Sequence, residues 1–554
     1  MNNIISYLKS RWWLLLTTLI FFLIRLPFLN QFSLLPDERD LALTSYSLAK
    51  TGNDLFGNHL PLIFDRISPH SPFIPIYYGA IWWLLPIYKT IFNARFIFLL
   101  PASLLPLLAY EIILYFSKEK RISLLTAIIF SFSPWIYHIS RLGLEINLAL
   151  PLFLLAVLFQ INNKKFLSYI FYGLTFFTYQ GIRPLVIIFP IYFELYKHIT
   201  NKSKIKFTAF EISKYLILLI VLFIFSISIE KNIQTRSSFE IIFFNSERLS
   251  TEVNFYRNIS SAPFFIKQFF NNKLISVIYY LSNNFLKGMD FSYLFHLGDY
   301  VPEFSNGVIG QFYLLFAFFL PVGLIHLFNK RKLSYYFLVS LIIIGLVPSV
   351  INFYSLTFSI RSSLAALGFS FLISCGIIYS YHLIKKYSKL MTILSVCAFS
   401  ILLLFQTSYF FYHYFYSKPQ LFSELFYERE RKLSQYLLNK NKFYEVKVPL
   451  PNSSFFSYLF FYPLKKSDYP ELNKVLKNNL ITFKFNSVKF TDCENPEKKT
   501  VFDLRNTIIS ESCLLPAEKY LLESTPSAFF DKIYYSSFPP FDFNKKTAYY
   551  VFDR

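Results

Sequence analysis

Two adjacent carboxylates, Asp37 and Glu38, could do chemistry, because they follow directly on a long apolar run. They lie in Leu34-Leu-Pro-Asp-Glu-Arg-Asp40, ahead of apolar residues at helical spacing that end near Gly52. A carboxylate in this setting can take a proton from a hydroxyl group or bind a metal ion. An acidic pair in a first helical turn can equally be a solvated complement to the helix dipole.

Arginines and a second acid recur at the ends of later apolar runs. Ser140-Arg-Leu-Gly-Leu-Glu145 is one such stretch, and Tyr179-Gln-Gly-Ile-Arg-Pro184 is another. Ionisable residues at the edge of a membrane span are costly unless they are paired or functional. Guanidinium groups suit bidentate binding of phosphate. We therefore predict that Glu145, like Asp37 and Glu38, offers a carboxylate for a base or a metal ion, and that Arg141, Arg183 and Arg361 bind a phosphate.

His70, in Ser68-Pro-His-Ser-Pro72, is a further candidate for contact with substrate. A lone histidine in a loop is more often a surface residue. Asp37 and Glu145 could share a divalent cation, but their oxygen ligands do not decide between magnesium, manganese and no metal.

The composition places these residues in a membrane protein. Of the 554 residues, 54% are hydrophobic and only 16% are charged, and several apolar runs approach the length that crosses a bilayer. The net charge of +22 is concentrated in clusters between those runs, which is how membrane proteins set their orientation. A nucleic-acid partner is therefore not expected.

Placing the basic clusters in the cytoplasm predicts an all-α polytopic domain of about eleven spans over residues 1–414, with a cytoplasmic N-terminus. The first outer loop is then 31–95 and the long outer loop is 231–307. Residues 415–554 are predicted to form an extracytoplasmic α/β domain, because 421–439 has helical spacing and 443–449 and 481–490 alternate like strands.

The segment 72–91 is apolar and long enough to span, but a span there would reverse the later basic loops. Its Trp, Tyr and Pro residues favour the membrane interface, so we predict a juxtamembrane or re-entrant helix. Cys493 and Cys513 could form a disulfide if their region faces an oxidising compartment, and two free thiols are an equal alternative.

Taken together, these features resemble the GT-C glycosyltransferases. The resemblance is carried by the acidic pair after the first span, the aromatic juxtamembrane segment with Ser-Pro, and Ser133-Pro-Trp135 leading to Ser-Arg-x-x-x-Glu. The most similar groups are the protein O-mannosyltransferases (dolichyl-phosphate-mannose-protein mannosyltransferase-like) and the bacterial lipid A aminoarabinose transferases. The resemblance covers roughly residues 1–200 and weakens through 231–411.

The resemblance implies a GT-C fold that transfers a sugar, with inversion, from a polyprenyl-phosphate-linked donor on the extracytoplasmic face. It implies that Asp37 is the base, with Glu38 beside it and Glu145 as the second acid. Arg141, Tyr179 and Arg183 would then lie at the donor phosphate. Two departures are Pro69-His70, where aminoarabinose transferases have Glu-Lys, and Phe358-Ser-Ile360 before Arg361, where many relatives have Pro-His.

We therefore predict a bacterial plasma-membrane glycosyltransferase with a polyprenyl-phosphate-sugar donor and a protein, lipid or glycan acceptor. One alternative is a transporter or flippase of lipid-linked sugars. Transporters place ionisable residues near the middle of the membrane in broken helices, whereas the acids here cluster at one edge. A polymerase or ligase that joins glycan chains shares the lipid-phosphate chemistry and stays open as a second alternative.

Overall fold

The computed structural model describes residues 12–64, 73–201, 205–230, 241–353, 358–440, 442–477, 482–493, 506–514, 531–535 and 546–552. The chain divides into two compact units, of which the first comprises Met1–Pro27 and Phe98–His413. The second comprises Phe28–Ile97 and Tyr414–Arg554. The sequence predicted that the first outer loop is part of a domain of residues 1–414. In the structure this loop lies in the same unit as the C-terminal residues.

Helices account for most of the described chain, and the strands all lie near its end. In chain order the helices are α1 (Trp12–Leu23), α2 (Pro36–Thr51), α3 (Phe73–Trp83), α4 (Ile91–Ala102), α5 (Leu105–Ser117), α6 (Lys120–Phe132), α7 (Pro134–Ser140), α8 (Ile146–Ile161), α9 (Lys165–Phe176), α10 (Arg183–Asn201), α11 (Ile205–Glu230), α12 (Ser246–Ile259), α13 (Phe264–Phe270), α14 (Lys273–Met289), α15 (Phe319–Lys330), α16 (Leu333–Val350), α17 (Phe358–Arg361), α18 (Ala365–Tyr387), α19 (Lys389–Tyr412), α20 (Lys418–Phe422), α21 (Glu428–Asn439), α22 (Pro451–Phe461) and α23 (Tyr469–Lys477).

Several of these helices can cross a membrane, so the chain is a multi-pass membrane protein. Among the described residues, five segments are long and apolar enough: Ile91–Ser117, Ala209–Ile227, Leu333–Val350, Ala365–Tyr387 and Lys389–Ser417. The pair α6 and α7 adds a sixth if its 55° bend is counted within one span. The bend follows Ser133, which is extended because it precedes Pro134. The total of about eleven spans stays a prediction.

The aromatic segment 72–91 does not form a span in the structure. Its helix, α3, has 11 residues and ends at Trp83. At 1.5 Å per residue such a helix covers about 16 Å, roughly half of a hydrocarbon core. The described part of this segment therefore agrees with the predicted short, non-spanning helix.

The second unit contains six strands: β1 (Tyr444–Lys447), β2 (Phe483–Phe485), β3 (Val488–Thr491), β4 (Thr507–Ser510), β5 (Asp531–Tyr535) and β6 (Lys546–Phe552). They form one sheet of order β2-β3-β1-β4-β6-β5. The central strand β1 runs parallel to both β3 and β4, and the remaining pairs are antiparallel. The strand predicted over 481–490 is instead a hairpin, because Asn486 adopts a positive φ of 51° and reverses the chain.

One apolar core joins the first outer loop to the C-terminal residues within this unit. Leu43 and Trp83 from the loop share it with Tyr444, Phe455 and Leu459. All five side chains are at most 1% exposed, so the loop folds as part of the α/β unit. The two cysteines of this unit, Cys493 and Cys513, form a disulfide with Cα atoms 5.4 Å apart.

Candidate functional site

The acidic pair lies in the first turn of α2, where the sequence predicts it. Pro36 is the first helical residue, a position in which its missing N–H costs nothing. The carboxylate of Glu38 accepts a hydrogen bond from the Leu35 backbone N–H at 2.9 Å. This hydrogen bond fixes the backbone at the start of the helix, including Asp37, which lies between Leu35 and Glu38 in the sequence.

Arg95, at the start of α4, holds Glu38 in place. Its Nε and Nη2 atoms each donate to one Glu38 carboxylate oxygen at 2.8 Å. The guanidinium also donates to the carbonyl oxygens of Leu29 and Phe32 at 3.0 Å and of Ser33 at 2.8 Å. Five acceptors thus match the five N–H donors of an arginine. The arginine ties the start of the outer loop to α2.

The next two residues of the motif are also buried within the second unit. Arg39 donates from Nη1 to the Ser453 carbonyl and to Ser457 Oγ, both at 2.9 Å. Its Nε lies 3.5 Å from the carboxylate of Asp40, and both side chains are almost fully enclosed. Because Ser453 and Ser457 belong to α22, this contact fastens the beginning of α2 to the C-terminal part of the unit.

Asp37 differs from its three ionisable neighbours in exposure. Glu38, Arg39 and Asp40 are only 1–3% exposed, whereas Asp37 is half-buried. A carboxylate that reaches the surface from a rigid helical turn can serve as a general base or as a ligand. The motif therefore has one acid able to meet a substrate and three side chains that hold its backbone.

In the first unit, Arg141 follows α7 and is 3% exposed. Its Nη1 donates to the carbonyl oxygens of Arg25 and Pro27 at 2.8 Å and contacts the Tyr137 hydroxyl at 3.3 Å. These carbonyls belong to the chain that leaves α1. The predicted phosphate-binding arginine thus fastens the end of the first helix.

A second buried arginine, Arg25, was not singled out from the sequence. Its guanidinium donates to the Phe21 carbonyl at 2.9 Å, to the Ser131 carbonyl at 2.7 Å and to Ser140 Oγ. It also stacks near the Tyr137 ring, with its central carbon 5.0 Å from the ring centroid. Arg25 lies within the apolar run that begins at Trp12, and an arginine there is costly unless it is paired, so the sequence held a signal that the prediction did not use.

Glu145 directly precedes α8 and is partly exposed. The tight turn that carries Arg141 and Glu145 is held by Asn147, whose amide donates to the carbonyls of Ile139 at 2.9 Å and Leu142 at 2.6 Å. Asn147 is 2% exposed, so its two bonds fix the turn from inside the protein. The structure therefore gives Glu145 a rigid support.

Tyr179 and Arg183 flank a 3₁₀ turn at Gln180–Ile182, and Arg183 begins α10. Arg183 is half-buried, with Nε donating to the Phe176 carbonyl at 3.1 Å and its guanidinium 4.6 Å from the Phe176 ring centroid. The Tyr179 ring lies against Gly181, where a Cβ atom would come within 2.6 Å of it. The short turn separates the two predicted residues by only four positions, and a larger residue at Gly181 would displace the Tyr179 ring.

Arg361 ends the short helix α17, which a buried carboxylate anchors. Asp299 accepts from the Ser359 backbone N–H at 2.7 Å and also from the Ser359 hydroxyl. Trp135 Nε1 donates to the Ser359 carbonyl at 2.8 Å, and Gln311 donates to the Ser359 hydroxyl at 2.9 Å. Burial raises the pKa of Asp299 above its ordinary value. The Phe-Ser-Ile stretch that departs from the family pattern is therefore a firm support for Arg361.

Two predictions, the substrate contact of His70 and the shared metal ion, stay predictions. His70 lies outside the described residues. Across the described ranges, no group of three or more His, Cys, Asp or Glu side chains is arranged to hold a metal ion. Asp37 and Glu145 belong to different units, so their shared ion stays a prediction.

Comparisons with known proteins give structural neighbours only. No protein-family model and no curated protein matches the chain. Solved structures similar to it include ArnT from Cupriavidus metallidurans bound to undecaprenyl phosphate, with a TM-score of 0.46, 10% identity and 98% of each chain covered. Another is the archaeal oligosaccharyltransferase AglB from Archaeoglobus fulgidus in complex with an inhibitory peptide and a dolichol-phosphate, with a TM-score of 0.46 and 12% identity. That match covers 81% of this chain and 64% of AglB.

Proposed function

We propose that this protein is a glycosyltransferase that moves a sugar from a polyprenyl-phosphate-linked donor to an acceptor hydroxyl on the extracytoplasmic face. The observation that carries the proposal is the arrangement of charged side chains around Asp37. A half-exposed carboxylate stands in a helical turn whose neighbouring charged side chains are all buried and bound to protein. Such rigidity is what a base needs, since its reach to a hydroxyl must be held within a fraction of an ångström.

In the proposed reaction, Asp37 removes the proton of the acceptor hydroxyl as its oxygen attacks the anomeric carbon of the sugar. The bond between that carbon and the phosphate oxygen breaks on the opposite face, so the configuration inverts. The donor phosphate is a diester with one negative charge, and it leaves as a monoester with a second. A positively charged partner at that oxygen therefore stabilises the transition state more than the ground state.

Arg183 and Arg361 are proposed to bind this phosphate, with Tyr179 beside Arg183. Both arginines are half-buried and stand on supported turns. Arg141 and Glu38 are proposed as positioning residues, because their side chains are enclosed and hydrogen-bonded to protein. Glu145 stays in the proposal as a second acid on the turn that Asn147 fixes.

A divalent metal ion between Asp37 and Glu145, magnesium or manganese, is a separate part of the proposal. Carboxylate oxygens suit both ions, and a bound cation would supply further charge for the departing phosphate. Transfer that stops on addition of EDTA and resumes with added Mg²⁺ or Mn²⁺ would support the ion. Unchanged transfer in EDTA would remove the ion from the proposal and leave Asp37 as a metal-free base.

The orientation is also proposed, with the N-terminus in the cytoplasm and the second unit outside. The disulfide between Cys493 and Cys513 supports it, because such bonds form and persist in oxidising compartments. The basic clusters between apolar runs supply the independent argument from the positive-inside rule.

The test is transfer of radiolabelled sugar from defined polyprenyl-phosphate donors by the full-length protein in lipid nanodiscs. We expect Asp37→Asn to abolish transfer while donor binding persists. Glu471→Gln is the matched control, because Glu471 is an exposed acid in the first turn of α23 in the same unit. Full activity in Asp37→Asn would refute the assigned base.

The same assay separates the alternative functions. A transporter would move fluorescent lipid-linked sugar across proteoliposomes without releasing free polyprenyl phosphate. A polymerase or ligase would require donors with long glycan chains and would ignore the monosaccharide donor. Release of polyprenyl phosphate from a monosaccharide donor, in amounts equal to the glycosylated product, is the result we expect.

A further inference from the structure

Helices α13 and α14 (Phe264–Met289, here the apolar arm) expose large apolar side chains although they lie outside every candidate span. Phe264 and Phe265 are 78% and 79% exposed, and Leu274 and Ile278 are 68% and 53% exposed. A water-facing surface rarely carries so many adjacent apolar groups, because each costs free energy in contact with water. The arm belongs entirely to the first unit.

Helix α14 is apolar on two faces, and protein covers one of them. Val277, Tyr280 and Leu281 pack against a buried cluster that contains Leu249 and Phe353. The other face repeats at helical spacing through Leu274, Ile278 and Leu286, all exposed. The packed face already fixes the helix to its unit, so the exposed face requires a different apolar environment.

Hydrogen bonds hold the arm at the end of a membrane span. The side-chain amide of Asn284 donates to the carbonyls of Val350 at 3.1 Å and Asn352 at 2.7 Å. Val350 is the last residue of α16, a candidate span of 18 residues. A helix of that length covers about 27 Å, so its two ends have to lie near the two surfaces of the bilayer. The arm is therefore level with a lipid headgroup region.

The charges on this stretch complement an anionic surface. The arm carries three basic side chains, Lys267, Lys273 and Lys287, and no acidic one, while Glu252 of α12 accepts a hydrogen bond from Tyr280 on the covered face. Aromatic residues interleaved with lysines, on a helix with an apolar face, are typical of segments that lie in a membrane interface.

We propose that the apolar arm is embedded in the headgroup layer of a bilayer that contains anionic lipid, on the side of the membrane where α16 ends. Phe264, Phe265, Leu274 and Ile278 insert to a depth of roughly 5–10 Å, among the headgroups and the first acyl carbons. Lys267 and Lys273 contact lipid phosphates. This proposal does not depend on sugar transfer.

The embedded arm also reaches the helix that carries Arg361. A Cβ atom at Gly288 would lie 2.7 Å from the Phe358 ring, so α14 and α17 are in direct contact. Because α14 is fixed in the headgroup layer, α17 acquires a defined height relative to lipid phosphates. The arm thus fixes the depth of the residues around Phe358 relative to the membrane surface.

The experiment uses full-length protein in nanodiscs of phosphatidylcholine and phosphatidylglycerol, with Cys397→Ser removing the exposed free thiol. Single cysteines at Phe265→Cys or Ile278→Cys carry an NBD fluorophore. The matched control is Thr251→Cys, an exposed position on α12 in the same loop. We expect blue-shifted emission and several-fold stronger quenching by doxyl-labelled lipid at the arm positions, and stronger quenching by aqueous iodide at the control.

Two outcomes would overturn the proposal. Iodide quenching at the arm equal to that at Thr251→Cys would place the arm in water. Protection from iodide without quenching by doxyl lipid would mean that protein covers the face. The charge contribution is tested separately, because Lys267→Gln with Lys273→Gln should weaken lipid quenching only when phosphatidylglycerol is present. An equal effect in pure phosphatidylcholine would reject the contact with anionic lipid.

Discussion

Glu38 and Arg95 form a buried ion pair, with two hydrogen bonds of 2.8 Å between side chains that are 1% and 2% exposed. The pair joins the beginning of the first outer loop to the start of α4. Arg95 also holds three carbonyls of the segment between α1 and α2. The proposed base, Asp37, is adjacent to this pair and depends on it for position.

Removing either partner should destabilise the second unit strongly. Glu38→Gln or Arg95→Met leaves one buried charge uncompensated, and such losses cost about 3–5 kcal/mol. Thermal unfolding of the purified protein would show a large drop in Tm for each single variant. We expect the double variant to recover part of the loss, because it buries no unpaired charge. A wild-type Tm in both single variants would contradict the role given to the pair.

Substitution of Asp299 should weaken binding of the donor more than it slows the chemical step, because Asp299 supports α17 and contacts no proposed reacting group. Asp299→Ala removes the acceptor of the Ser359 N–H, and loss of a bond to a charged group costs about 1.5–3 kcal/mol. We expect KM for the donor to rise several-fold with a smaller change in kcat, and Asp299→Asn to have a milder effect. A change in kcat alone would contradict this assignment.

Lys89 should give the second unit a distinctive dependence of stability on pH. Its ammonium donates to the carbonyls of Leu459 at 2.8 Å and Tyr462 at 3.1 Å, and burial lowers its pKa to about 7. In the unfolded chain the lysine stays protonated to about pH 10.4. Between these values the unfolded state binds the additional proton, so stability rises with pH.

We therefore expect the Tm of the wild type to rise between pH 7 and pH 10 relative to that of Lys89→Met. Below about pH 7 the difference between the two proteins should be constant, since Lys89 is then protonated in both states. Lys442→Met, at an exposed position of the same unit, serves as the control. Parallel curves for wild type and Lys89→Met across the whole range would contradict the shifted pKa.

The disulfide between Cys493 and Cys513 should contribute measurable stability. The two residues are 20 positions apart, and closing a loop of that size stabilises a fold by about 3 kcal/mol. Cys493→Ser with Cys513→Ser should lower the Tm of the second unit. In intact cells, an impermeant maleimide should label the wild-type pair only after reduction. Labelling that requires cell lysis would contradict the outward placement of this unit.

Local patterns in the sequence account for a defined part of the structure. Apolar run length predicted the membrane helices, and alternation predicted β1, because both are properties of neighbouring residues. The aromatic and proline content of 72–91 predicted a helix that does not span. Asp37 was predicted as the base because an acidic pair follows directly on a long apolar run.

The partners of the site residues could not be predicted, because long-range contacts have no local periodicity. Arg95 lies 57 residues from Glu38, and Lys89 lies 370 residues from Leu459. Asp299 and Ser359 are separated by 60 residues. Glu38 was predicted as a catalytic residue because it is adjacent to Asp37, and its buried pair with Arg95 could not be predicted from neighbouring residues.

The shared core of the second unit imposes an order on biogenesis. Residues near position 40 leave the ribosome long before Ser453 and Phe455, yet they complete one another's packing. During synthesis the apolar residues of the first outer loop have no packing partners until the intervening membrane helices and α22 have been made. A nascent or truncated chain that lacks α22 therefore has no finished support for Asp37. The proposed activity would therefore appear only after α22 has been synthesised and has packed against α2.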